Sequence, residues 1–153
     1  MLQNLSLDSN IQARINSWLS GNYDESVKSE IKQLIAESNT TELTDAFYRD
    51  LEFGTGGLRG IMGAGTNRVN KYTFGAATQG LSNYLKSLYP EKQMKVAIAH
   101  DNRNNSASLA KVVADVFSAN GIIVYFFEGL RPTPELSFAI RELCCQSGVM
   151  LTA

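Results

Sequence analysis

Apolar residues recur every three or four positions in the first part of this chain and gather into short unbroken runs further on. Asp8, Ser9 and Asn10 are good helix caps, and Ile11, Ile15, Trp18 and Leu19 follow at helical spacing. They predict a helix over residues 8–20, closed by Gly21 and Asn22. Val27, Ile31, Leu34 and Ile35 make one face of a second helix over 24–38, with polar residues opposite, as a surface helix requires. A short third helix is predicted over 41–48. Residues 1–48 thus read as a helical extension that carries no chemistry and packs its apolar stripes on a neighbour.

Beyond residue 49 the rhythm changes. Leu58 to Gly63 suits a short strand. Phe74, Ala77, Leu81, Leu85 and Leu88 give a helix over 72–89 that Pro90 stops. The run Lys95-Val96-Ala97-Ile98-Ala99-His100 suits a buried strand. A helix over 106–120 follows, with Ser106 as its cap and Gly121 closing it, then a strand over 122–127. Pro132-Thr133-Pro134 is a rigid turn into a helix bearing Leu136, Ala139, Ile140 and Leu143, on which Cys144 and Cys145 are placed. Gly148 to Ala153 is a last strand. Strands alternating with helices of this length form βαβ units around a mostly parallel sheet. Ligands of such sheets sit at the carboxyl ends of the strands, where this pattern puts Asp101-Asn102-Arg103 and Glu128 to Arg131. The final strand reaches its carboxyl end where the sequence stops, so the chain is expected to be a truncated domain.

At 153 residues the length suits one domain with a sizeable core. A formal net charge of −1 with no basic block argues against nucleic acid as a partner. No apolar run approaches the ~20 residues of a membrane span, and Met1-Leu2-Gln3-Asn4 lacks the pattern of a secretory leader. The two cysteines, Cys144 and Cys145, are adjacent, and a bridge between them would be strained and staple nothing. A cytoplasmic protein with reduced thiols is expected.

The candidate chemistry lies in Phe53-Gly54-Thr55-Gly56-Gly57-Leu58-Arg59-Gly60 and its continuation to Arg68. Six of the twelve glycines fall between Gly54 and Gly65. Glycine admits left-handed backbone and close approach to a ligand, and free N–H groups in such a loop make a concave anion site. Thr55 adds a hydroxyl, and Arg59 a planar cation that matches phosphate oxygens. No Gly-Lys-Ser/Thr follows and the spacing is not G-x-G-x-x-G, so neither common nucleotide motif is present. Composition alone leaves a phosphate cradle and a plain structural turn open.

Four segments in order settle on one resemblance: Phe53 to Gly60, Val96 to Arg103, Gly129 to Pro134 and Gly148 to Ala153. Together they resemble the first domain of the α-D-phosphohexomutases. The text from Gly63 to Asn70 and from Leu130 to Phe138 looks closest to the phosphoglucomutase/phosphopentomutase branch. The resemblance implies a three-layer α/β/α domain over 49–153 with a four-stranded mixed sheet, preceded by the helices. It implies an enzyme that moves a phosphoryl group between two hydroxyls of a sugar phosphate, using a phosphoserine, a bisphosphate intermediate and Mg²⁺. Glucose phosphate is the expected substrate; mannose and pentose phosphates are alternatives.

In the family a segment like Val149 to Ala153 is followed by Ser-His-Asn-Pro, whose serine carries the phosphate; that serine would follow Ala153. The metal-binding loop and the phosphate-binding domain belong to later domains II–IV, so the chain alone is expected to be inert and metal-free, with exposed interfaces that favour self-association. By the same resemblance Arg59 contacts the transferring phosphate, while Thr55, Gly56 and Gly57 form the wall beside it. Arg68 either reaches a substrate phosphate or braces the loop. His100 is expected to be structural or solvent-facing, and Asp101 and Arg103 to form an ion pair or loop hydrogen bonds. A non-catalytic phosphosugar- or nucleotide-binding α/β domain is the reading from another class.

Overall fold

The computed structural model describes residues 5–152, which fall into two compact units divided between Thr73 and Phe74. Met1 to Asn4 and Ala153, the last residue of the expected final strand, lie outside the described residues. The boundary read from the sequence at 48/49 falls inside the first unit.

The first unit opens with three helices, α1 (Ser9–Ser20), α2 (Glu25–Ala36) and α3 (Thr40–Phe47). Helix α1 is capped as the sequence suggests and α3 by Asn39, whereas the Asp24 side chain makes no capping hydrogen bond at α2. Asp8 accepts from Asn10 N at 2.8 Å, and Asn39 accepts from Glu42 N at 3.1 Å. Helix α2 ends two residues before the expected limit, and Ser38 turns away with φ of 53°. The apolar stripes of all three helices close on one another. Ile15, Ile31, Leu43 and Phe47 are inaccessible to solvent. Trp18 stacks on Tyr23 at 4.3 Å and meets Phe47 and Tyr72 edge-on.

The expected strand over 58–63 does not form. Instead β1 (Phe53–Gly54) and β2 (Gly57–Leu58) pair antiparallel as a minimal hairpin. Gly63, with φ of 150°, breaks any ladder that would continue from Leu58, and only an isolated bridge joins Met62 to Val69. Helix α4 (Lys71–Leu88) then starts under Asn70, whose Oδ1 accepts from the N–H groups of Tyr72 and Thr73. Thr73 Oγ1 accepts in return from Asn70 N at 3.1 Å, a reciprocal cap.

The second unit holds the rest of α4, β3 (Lys95–His100), α5 (Ser106–Ala119), β4 (Ile123–Phe126), α6 (Thr133–Glu142) and β5 (Ser147–Leu151). Its strands run parallel in the order β4-β3-β5, with Ile98 beside Phe126 on one flank and Val149 on the other. The α/β class holds. The four-stranded mixed sheet does not: among the described residues the sheets have two and three strands, because the glycine-rich segment closes on itself.

Period-two alternation sends Ala97 and Ala99 to the face where Leu136 of α6 packs. Their small size lets the helix come close. Gly148 belongs to the same contact, since a Cβ there would run into the Ile140 side chain and lie 3.1 Å from Ala97 O.

Two local expectations shift. Asn105, at φ of 70°, is the residue before α5, and Ser106 is its first helical residue rather than its cap. Cys144 and Cys145 lie beyond the end of α6. Cys144 takes a φ of 53° in the turn toward β5 and is exposed, while Cys145 is half-buried. Burial pushes the Cys145 thiol pKa up.

Candidate functional site

The β1–β2 hairpin presents the glycine loop to solvent. Phe53 faces Leu58 and Gly54 faces Gly57 across it, with Thr55 and Gly56 at the tip. Gly57 has φ of 119°, which an L side chain rarely adopts. Gly56 is glycine for another reason: a Cβ there would lie 2.8 Å from Nη2 of Arg59. The arginine therefore folds back over the bare backbone of the tip. Thr55, Gly56 and Arg59 are all exposed.

Arg59 has no acid partner within 4.0 Å among the described residues; Arg49 and Arg141 also lack one, but they bond to Asn67 and Ser137. Arg14 is held by Asp50 at 2.7 Å, Arg103 by Asp101 at 3.2 Å and Arg131 by Glu135 at 2.8 Å. A cation beside exposed glycine backbone, with no internal carboxylate to neutralise it, is equipped to receive an anion from outside.

Arg68 has the opposite surroundings. Its guanidinium is 3% exposed and lies 2.5 Å from Glu42 Oε1 and 2.7 Å from Asp45 Oδ2. Burial works to lower its pKa, but the hydrogen bonds it donates to Glu42 and Asp45 outweigh it and hold the guanidinium above the usual arginine value. Of the two roles the sequence left open, this geometry is that of a brace. It departs from the expectation of Arg68 as a phosphate ligand, because both nitrogens of its fork are already engaged inside the protein.

The carboxyl ends of the parallel strands are built around Asp101. Its Oδ1 accepts from Ser106 Oγ at 2.7 Å and from Arg103 N at 3.0 Å, and its Oδ2 meets the Arg103 guanidinium. Arg103 also donates to the carbonyl of Thr152 at 3.2 Å, and Asp101 N donates to that of Leu151 at 3.0 Å. These contacts tie the end of β5 to the loop after β3. His100 is buried with Nδ1 3.2 Å from Asp101 O, so it is structural rather than solvent-facing.

Desolvation works to raise the Asp101 pKa, yet the hydrogen bonds from Ser106 and Arg103 prevail and hold it below the usual carboxylate range. Its contribution is therefore present above the unfolded-state pKa, about 3.9, and is lost as pH falls through the lower folded value. Asp101→Asn should destabilise the protein at neutral pH, with the deficit shrinking in acid. Urea titrations at pH 7 and pH 3 that give equal deficits would refute this.

Residues 50–153 match the family model "Phosphoglucomutase/phosphomannomutase, alpha/beta/alpha domain I". The chain belongs to that family and covers its first domain. Its relatives include the probable phosphoribomutase of Schizosaccharomyces pombe, 36% identical over 96% of this chain. A phosphopentomutase of Mus musculus is 35% identical over 97%, and a phosphoglucomutase of Staphylococcus haemolyticus 37% identical over 76%. The chain spans about a quarter of the length of the first two and 21% of the third. No solved structure matches it.

The sequence gives no local sign of the anchors that hold the loop. Glu42 and Asp45 read as surface charges of a helix, and only their long-range partner Arg68 reveals them. The link from Arg103 to Thr152 is likewise invisible at a separation of 49 residues.

Proposed function

We propose that this chain is the phosphate-cradling first domain of a sugar-phosphate mutase, with Arg59 and the backbone around Thr55, Gly56 and Gly57 as the wall facing the transferred phosphoryl group. The observation that carries the reading is the Arg59 guanidinium, laid over Gly56 beside exposed Thr55 with no acid partner among the described residues.

Phosphoryl transfer asks the protein mainly to position the group and to stabilise charge on its oxygens. The bond from phosphorus to the donor oxygen breaks as one to the acceptor hydroxyl forms, and that hydroxyl gives up its proton. A planar cation and oriented N–H groups are well matched to the three oxygens that hold the charge. The phosphoserine, which by resemblance follows Ala153, would be the donor.

The fit of Mg²⁺ is different. No three His, Cys, Asp or Glu side chains converge among the described residues. By the resemblance, the ligands of the ion belong to later domains of the full-length protein.

Glucose phosphate remains the proposed substrate on the branch resemblance. A pentose phosphate is the second reading, supported by the phosphoribomutase and phosphopentomutase relatives that align across 96–97% of the chain, a share nearly equalled at 95% by a glucose 1,6-bisphosphate synthase of Mus musculus. Adjacent unpaired Cys144 and Cys145 favour a reducing compartment, and no helix among the described residues is long and apolar enough to cross a membrane.

The test is turnover of the full-length protein on glucose 1-phosphate and on ribose 1-phosphate, with sugar bisphosphate and Mg²⁺ present. Turnover of one or both is expected, and none from the 153-residue chain alone. Phosphosugar binding by the full-length protein without turnover would favour a binding module, and turnover by the isolated chain would overturn the assignment of the nucleophile.

A further inference from the structure

The helical extension holds the glycine hairpin through an unbroken series of contacts. Both legs of the hairpin are fastened to the segment that follows it. Leu51 N donates to Thr66 O at 2.8 Å and Thr66 Oγ1 to Arg49 O at 2.6 Å on the leg before β1. On the leg after β2, Val69 N donates to Ile61 O at 2.7 Å and Gly63 N to Val69 O at 3.3 Å.

That segment is fastened in turn to the helices. Glu30 of α2 accepts from Ala64 N at 2.9 Å, and Asn67 N donates to Ala46 O of α3, also at 2.9 Å. Arg68 is held by Glu42 and Asp45 of α3, as described above. Gly65 lies so close to α3 that a Cβ would stand 2.9 Å from the Ala46 Cβ.

The hairpin has little else to hold it. Its two strands have two residues each, and Phe53 is 68% exposed. A two-stranded ribbon of this size does not hold its shape in water without support. The charged faces of α2 and α3, which look like ordinary solvated surface, supply it.

We propose that Glu30, Glu42 and Asp45 are positioning residues that act through Ala64 and Arg68 to fix the hairpin bearing Thr55 and Arg59, so that the helical extension is part of the phosphate-site apparatus. The inference rests on the functional reading above only for its catalytic consequence; the mechanical coupling stands by itself. A phosphate wall must be held to within about half an ångström to stabilise a transition state. Loosening the anchors therefore lowers the rate while the bound substrate keeps its other contacts.

Two measurements on Glu30→Ala and on Glu42→Ala, which remove the accepting oxygens, test this. The first is amide hydrogen exchange in the 153-residue chain. Exchange at Leu51 and Val69 should quicken about tenfold in each variant, with Ile15 in α1 and Leu43 in α3 unchanged, because the opening is local. Unchanged exchange at Leu51 and Val69 would overturn the proposal. Equal acceleration at Ile15 and Leu43 would also overturn it, since the carboxylates would then only stabilise the helices.

The second is steady-state kinetics of the full-length protein. A fall in kcat of about fivefold or more is expected with KM within about twofold, the split of a group that acts on the transition state. A rise in KM at constant kcat would contradict the positioning role. Wild-type protein with no mutase turnover would sink the functional reading while leaving the exchange result to decide the coupling.

Discussion

Replacing Arg59 by alanine in the full-length protein should lower kcat by about two to three orders of magnitude while changing KM much less. The guanidinium lies over Gly56 at the tip of a hairpin and is exposed, with no acid partner within 4.0 Å among the described residues. An exposed, unpaired arginine contributes little to folding, so its removal should leave the thermal midpoint nearly unchanged. Its value arises when a phosphoryl group carrying extra negative charge reaches the loop. Charge-assisted hydrogen bonds are worth about 1.5–3 kcal/mol each, and two of them lost together account for the expected fall. Arg59→Lys should recover only part of the rate, because an ammonium keeps the charge and loses the fork. An Arg59→Ala enzyme with wild-type kcat would remove the hairpin from the mechanism.

The second large effect concerns stability and concerns Arg68. Its guanidinium is 3% exposed, whereas the side chains of Glu42 and Asp45 are 44% and 50% exposed. The asymmetry predicts an ordering of variants. Removing both carboxylates, as Glu42→Gln with Asp45→Asn, strands a buried cation, and should cost about 3 kcal/mol. Arg68→Met leaves two carboxylates that water can still reach and fills much of the space, so about 1 kcal/mol is expected. Denaturant unfolding of the two proteins would decide it. A larger loss for Arg68→Met than for the double variant would mean that the packing of the arginine, not the pairing of its charge, holds the loop to α3.

Most of the helices could be read from the sequence because local chemistry governs them. Apolar spacing placed Ile11, Ile15 and Trp18 on one face, and Asp8 marked the start of α1. The buried strand β3 was legible for the same reason, as an unbroken apolar run. The strand expected over 58–63 was not, because its residues have the right character but Gly63 takes a left-handed backbone that the next residues require. The sheet was overcounted by that one segment. The turn at Cys144 was missed because nothing in Leu143-Cys144-Cys145 spells a helix end; its φ is imposed by the entry into β5.

The candidate site was legible in part. Glycine density and the types of Thr55 and Arg59 pointed to the hairpin, and the order of four motifs pointed to the family that residues 50–153 match. The different fates of Arg59 and Arg68 were beyond local reading. Both follow glycines, and both suit a phosphate. Only the placement of Glu42 and Asp45, 26 and 23 residues upstream of Arg68, turns one inward and leaves the other facing solvent.

The central claim is that the Arg59 hairpin stabilises the phosphoryl group in transit. Its most direct test is a single-turnover measurement with labelled sugar bisphosphate on the full-length protein and its Arg59→Ala variant. The account predicts that both bind the bisphosphate, and that label leaves it about two orders of magnitude more slowly in the variant. Equal rates of label transfer in the two proteins would contradict it.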